Sequence, residues 1–149
     1  MKISFDLDDT IISNSKFPLE NELWYHKLLG LERIRSGTIQ LFKELKSQGH
    51  LIYIYTTSYR SEKRIRILFH LYGIPVDRII NQQKHEVVIK KLGKSVSKFP
   101  PAFDIDVHVD DSLGVKMEGD KHGFRTIIIS DGDENWSTTI LEDLAATNR

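Results

Sequence analysis

Lys2-Ile3-Ser4-Phe5-Asp6-Leu7 alternates, turns apolar and then stops at Asp8-Asp9-Thr10. That pattern describes a buried strand delivered into a polar loop. The rest of the chain repeats it. Residues 51–55 form a second apolar run that ends in Thr56-Thr57-Ser58, residues 78–81 a short third, residues 105–109 a fourth that ends in Asp110-Asp111-Ser112, and residues 124–129 a fifth. Between them lie segments of helical period. Ile39, Leu41, Phe42 and Leu45 make one apolar face, with Gly49 where a C-terminal cap wants a left-handed residue. Ile65, Leu68, Phe69 and Tyr72 make another, stopped at Gly73. Residues 85–92, 114–122 and 137–146 complete the set, and residues 94–103, with Pro100-Pro101, read as a loop or short turn.

Short apolar strands alternating with helices indicate βαβ units, so the expected fold class is α/β: a three-layer sandwich around a parallel, Rossmann-like five-stranded sheet. The whole chain, 1–149, is expected to be one domain, since 149 residues are one domain's worth. A cap-like insert is expected at about residues 12–36. Within it Leu19, Leu23, Trp24 and Leu28 recur at helical spacing after Pro18 and predict a short amphipathic helix, with Trp24 and Tyr25 packed onto the sheet.

The chain has no cysteine. That excludes disulfides, cysteine-ligated metal and a thiol nucleophile, and suits a reducing compartment. No apolar run approaches the length of a membrane span, and an acid at position 6 interrupts any signal-like stretch, so a cytoplasmic location without membrane attachment is expected. The 21 basic and 21 acidic side chains cancel, which argues against a generic nucleic-acid binder. The cancellation is uneven. Residues 1–57 carry seven bases and seven acids, residues 58–98 ten and three, and residues 99–149 four and eleven. Two readings fit: helix faces of unlike sign, or a cationic wall facing an acidic, cation-binding centre.

Ligands of parallel sheets gather beyond the carboxyl ends of the strands. The polar residues there are Asp6, Asp8 and Asp9, then Thr56 and Thr57, then Asp110 and Asp111. Acidic clusters converging at strand ends repel, by about 4 kcal/mol for two carboxylates about 4 Å apart at an effective dielectric constant near 20. A hard divalent cation relieves that, and with all-oxygen donors the expected ion is Mg²⁺. His108, beside the acids of the fourth strand, is expected to be a satisfied structural histidine. Arg60 and Arg64 either contact a substrate or solvate a helix.

Phe5-Asp6-Leu7-Asp8-Asp9-Thr10 resembles the DxDxT first motif of the haloacid dehalogenase superfamily, and Thr56 and Asp110-Asp111 follow in the order of its later motifs. The resemblance spans nearly the whole chain and implies a Mg²⁺-dependent phosphatase. It makes Asp6 the nucleophile and Asp8 the general acid and base. Mg²⁺ would be held by the Asp6 carboxylate, the Asp8 carbonyl and Asp110, with Asp111 direct or through water. Thr56, with Thr57 beside it, would bind the phosphoryl group. The family's phosphate-binding lysine has two candidates: Lys98, in a Lys-Phe-Pro-Pro context similar to the third motif, and Lys84, which opens the helix before the fourth strand. The insert is small for a cap, so the site should be open. The expected partners are a phosphorylated small molecule or the phosphorylated end of a macromolecule, nucleic acid entering only as substrate, with a second copy of the chain as a possible cover. Alternatives from other classes are a silent phosphate- or partner-binding module and a receiver-like signalling module. A receiver should carry its phospho-acceptor at the third strand end, where this chain has Asn81.

Overall fold

The computed structural model describes residues 1–146; residues 147–149, the last of the expected domain and of the third charge segment, lie outside the described residues. Five strands form one parallel sheet: β1 (Lys2–Phe5), β2 (Leu51–Tyr55), β3 (Arg78–Ile80), β4 (Val107–Asp110) and β5 (Arg125–Ile128), in the spatial order β3-β2-β1-β4-β5. Helices cover both faces, as expected from the alternation. They are α1 (Trp24–Leu28), α2 (Thr38–Ser47), α3 (Glu62–Leu71), α4 (Gln82–Lys91), α5 (Leu113–His122) and α6 (Trp136–Ala146), with a 3₁₀ turn at Pro100–Phe103. Gly49 ends α2 at φ 80° and Gly73 ends α3 at φ 72°, in the left-handed region that glycine enters without penalty.

Successive side chains of a strand point to opposite faces, and here the two faces differ in chemistry. Ile3 and Phe5, Ile52 and Ile54, Val107 and Val109 join α2, α3 and α6 in the larger apolar core through Leu41, Phe42, Leu68, Phe69, Ile140 and Leu144. The alternate positions carry Ser4, Tyr53, Tyr55 and His108; the tyrosines pack with Ile80, Phe103 and Ile105 in a smaller cluster. One face is therefore an aliphatic core, and the other brings polar side chains up beneath the carboxyl ends of the central strands.

The insert departs from expectation. Only Trp24–Leu28 is helical, and the predicted apolar face is not buried: Trp24 is 76% and Leu28 75% exposed, with Leu23 exposed beside them. Leu19 instead pairs as an isolated bridge with Arg35, and Ile12 with Ile34, so short backbone pairings close the insert at its base. The buried member of α1 is His26, whose ring packs on Tyr72 at 4.1 Å and whose Nδ1 accepts the Leu23 N–H. Tyr25 reaches α3, donating to the Leu71 carbonyl at 3.2 Å, rather than lying on the sheet with Trp24. Leucine spacing pointed to the wrong face because the aromatic stack and this N-terminal hydrogen bond set the helix rotation.

Gly119 lets α5 approach β5. A Cβ there would lie 2.7 Å from Thr126 Oγ1 and 2.8 Å from the Phe124 carbonyl, and the carbonyl is backbone that cannot swing aside. Gly119→Ala gains about 1 kcal/mol of helix propensity but overpacks this contact, which costs about 1–3 kcal/mol. Thermal denaturation should show a lower midpoint for Gly119→Ala; an unchanged or higher one would show that the two elements can separate freely.

Candidate active site

Strand register brings the acids together. Phe5 pairs with Val109 on one side and with Ile54 on the other, and the ladder continues as the Asp6 N–H donates to the Val109 carbonyl at 2.8 Å. Asp6 thus lies beside Asp110. The Thr56 N–H continues the β2–β3 ladder onto the Ile80 carbonyl at 2.9 Å. Beyond Asp6 the chain turns sharply: the Leu7 carbonyl accepts from Ile11 and Ile12, and Asp9 takes a left-handed conformation at φ 62°, tolerated by aspartate better than by most residues. The turn returns Thr10 to the site, where its hydroxyl donates to Asp111 Oδ1 at 3.2 Å.

One carboxylate oxygen each from Asp6, Asp110 and Asp111 lies within 4.8 Å of the others. Burial, with Asp110 adding repulsion against the attraction of Lys98, pushes the Asp6 carboxyl up to about 6. Burial, with repulsion from Asp110, also raises Asp111. Burial opposes the charge on Asp110 too, but a hydrogen bond from His108 leads the favourable contacts that hold its carboxyl below the usual range. His108 Nε2 bonds Asp110 Oδ2 at 2.9 Å, its Nδ1 takes the Ser4 hydroxyl at 2.7 Å, and burial lowers its own basicity. The ring is therefore neutral at pH 7 and serves as a donor to Asp110. This is the satisfied structural histidine that was expected.

Of the two candidate lysines, the structure brings Lys98 to the acids. Its ammonium, 2% exposed as a residue, donates to Asp6 Oδ1 at 2.7 Å and to the Tyr55 carbonyl at 2.5 Å. Lys84 pairs with Glu62 at 2.8 Å, away from Asp6. The first turn of α4 does follow the carboxyl end of β3, as helix direction requires, but the ammonium that meets Asp6 comes from the irregular stretch before the 3₁₀ turn Pro100–Phe103. Thr56 is buried and its hydroxyl accepts the Ser58 N–H at 3.1 Å, whereas Thr57 is exposed.

No family model and no curated protein matches this sequence. Solved structures do. A HAD-superfamily hydrolase from Ehrlichia chaffeensis aligns with a TM-score of 0.59 at 15% identity, over 99% of this chain and 97% of that one. CbbY from Rhodobacter sphaeroides, solved in complex with phosphate, aligns with a TM-score of 0.51 at 17% identity, over 87% and 85%. An uncharacterized protein from Corynebacterium glutamicum aligns at 0.51 and 14% identity, over 99% and 94%. The chain has the haloacid dehalogenase-like fold. At these identities the likeness is one of fold, and the chemistry has to be read from this chain's own residues.

Within that fold, Asp8 stands apart from the buried acids. Its carboxylate is half-exposed and meets Arg60 Nη1 at 2.9 Å, while Arg60 Nε holds Glu32 of the insert at 3.0 Å. A cavity of about 470 Å³ opens here, lined in part by Asp8, Ser13, Asn14, Glu22, Arg33 and Arg60. Arg60 therefore joins the site, and Arg64 braces it by bonding the Gly30 carbonyl at 2.7 Å. The cationic segment is not a continuous wall. Lys98 and Arg60 reach the acids, whereas Arg66 bonds the Val76 carbonyl and Arg78 the Phe103 carbonyl.

The three converged carboxylates fit a hard divalent cation by donor chemistry and by their excess of negative charge. At pH 7.5, saturating Mg²⁺ should raise the denaturation midpoint by about 5–10 °C when present at about 100 times its dissociation constant. Asp110→Asn and Asp111→Asn should remove most of that shift. A wild-type midpoint indifferent to Mg²⁺ and Mn²⁺ would contradict the metal assignment.

Among the described residues no helix is long and apolar enough to cross a membrane.

Proposed function

We propose that the chain is a Mg²⁺-dependent phosphomonoester hydrolase that works through an aspartyl-phosphate on Asp6. The observation that carries this reading is the buried ammonium of Lys98 on the Asp6 carboxylate, at the mouth of a parallel sheet and beside two further carboxylates. A nucleophile that must approach a phosphate dianion needs such a cation beside it. The resemblance of Phe5-Asp6-Leu7-Asp8-Asp9-Thr10 to the superfamily's first motif supports the same assignment.

In the first half of the reaction an Asp6 oxygen attacks phosphorus as the bond to the leaving oxygen breaks, and that oxygen takes the electron pair and a proton from Asp8. In the second half Asp8 takes a proton from water, whose oxygen attacks phosphorus as the Asp6 O–P bond breaks, releasing inorganic phosphate and restoring the Asp6 carboxylate. Lys98 and the Thr56 hydroxyl would hold phosphoryl oxygens. Mg²⁺ held by Asp6, the Asp8 carbonyl, Asp110 and Asp111 would supply charge neutralisation on the phosphoryl group. The substrate class is a phosphorylated small molecule or the phosphorylated end of a macromolecule. In this reading the small insert leaves the site open to either, or to a second copy of the chain as a cover.

Purified protein should hydrolyse a generic aryl phosphate with Mg²⁺. Asp6→Asn should abolish turnover while keeping the native circular dichroism, at some cost in stability, because Lys98 then loses its charged partner. Lys98→Ala should lower kcat by about 10²-fold or more, and Lys84→Ala should change it less than about twofold. Undiminished activity in Asp6→Asn, or equal losses for the two lysine variants, would overturn the assignment.

A further inference from the structure

Lys98 occupies irregular backbone between α4 and the 3₁₀ turn, yet its ammonium is directed into the buried centre. Four consecutive residues of that stretch are tied down by side chains from elsewhere. Glu118, on α5, accepts from the Ser97 N–H at 2.8 Å, the Ser97 hydroxyl at 2.7 Å and the Lys98 N–H at 3.0 Å. The Tyr55 hydroxyl accepts the Phe99 N–H at 2.9 Å and meets His85 Nδ1 at 2.6 Å, and His85 Nε2 reaches the Val96 carbonyl at 3.1 Å. The proton order follows from the acceptors. Nε2 must carry hydrogen to bond a carbonyl, burial keeps the ring neutral, and Nδ1 then accepts from the tyrosine. Tyr55 also supplies the carbonyl that receives the Lys98 ammonium and the ring face that lies 4.7 Å from it.

We propose that Glu118, Tyr55 and His85 are positioning residues that act through Lys98, doing by side-chain hydrogen bonds what a helix would do by its own backbone. The inference rests on the hydrolase reading for its catalytic consequence, though not for the clamp itself. None of the three touches the reacting atoms. Glu118 lies on the helix that follows Asp110-Asp111, and Tyr55 lies on the strand that ends in Thr56, so the same contacts lock the lysine segment to the elements that present the acids and the threonine. An ammonium on a flexible four-carbon stem is worth most to a transition state when its backbone cannot drift, and a misplacement of about 1 Å can cost about 10²-fold in rate.

The test has two arms. In the kinetic arm, Glu118→Ala should lower kcat/KM on an aryl phosphate about ten- to a hundredfold, but change it less than about twofold when introduced into Lys98→Ala, because a residue acting through the lysine has nothing left to act on. Tyr55→Phe, which keeps the ring and removes the hydroxyl, should show the same non-additivity, and Glu118→Gln, with one acceptor oxygen left, should fall between wild type and Glu118→Ala. In the second arm, amide hydrogen exchange should find Ser97, Lys98 and Phe99 protected in the wild type, Ser97 and Lys98 released in Glu118→Ala, and Phe99 released in Tyr55→Phe. Equal fold-losses with and without Lys98 would overturn the positioning role, as would amides whose protection the variants leave unchanged. A wild type silent on phosphoesters would overturn the hydrolase reading instead, and the exchange arm would then decide the clamp alone.

Discussion

The ammonium of Lys98 and the carboxylate of Asp6 meet at 2.7 Å with almost no access to water, where the chain turns away from its central strand. Taking two charges out of water costs several kcal/mol each, and their attraction at this separation returns about 6 kcal/mol at an effective dielectric constant near 20. The balance is close, so the pair depends on the Tyr55 carbonyl that shares the ammonium and on the tied backbone of residues 96–99; burial, with repulsion from Asp110, still leaves the Asp6 carboxyl up at about 6. The elements that converge on this point are held in the geometry that keeps both charges satisfied.

The two faces of the sheet divide the work. The aliphatic side chains of β1, β2 and β4 join α2, α3 and α6 in a continuous core that fixes the strands. The alternate positions place Ser4, His108 and Tyr55 beneath the acids, and each carries a hydrogen bond toward a group of the site: Ser4 to His108, His108 to Asp110, Tyr55 to the lysine segment. A strand buried on both faces is normally apolar on both. The departures from that rule occur where the structure needs fixed donors and acceptors close to charge.

Much of this could be read from the residues in order. Apolar runs that stop at acids or threonines mark strand ends because a charged side chain cannot continue into the core, and those stops gave Asp6, Thr56 and Asp110 their common location. Tyr53 and Tyr55 alternate with Ile52 and Ile54, a signal that β2 has one polar face, but sequence does not say what an interior hydroxyl bonds. Glu118 lay hidden among surface acids, since its role depends on a loop twenty residues away. Lys98 and Lys84 could not be separated by their order along the chain, because the turn of Lys98 toward Asp6 is set by an irregular stretch and not by a helix. The insert misled for a different reason: its leucines follow a helical period, but so short a helix is oriented by His26 on Tyr72 and leaves Trp24 and Leu28 facing outward.

The account makes Asp6 a nucleophile set against a buried lysine, and acid quenching during steady-state turnover of a phosphoester with Mg²⁺ tests that claim most directly. Peptide mapping by mass spectrometry should find an acyl phosphate on Asp6, absent when Asp6 is Asn. Turnover that proceeds with the phosphoryl group on another residue would contradict the account, as would inversion of configuration at the phosphorus of an isotopically chiral phosphoester, because the two successive displacements proposed at Asp6 retain it.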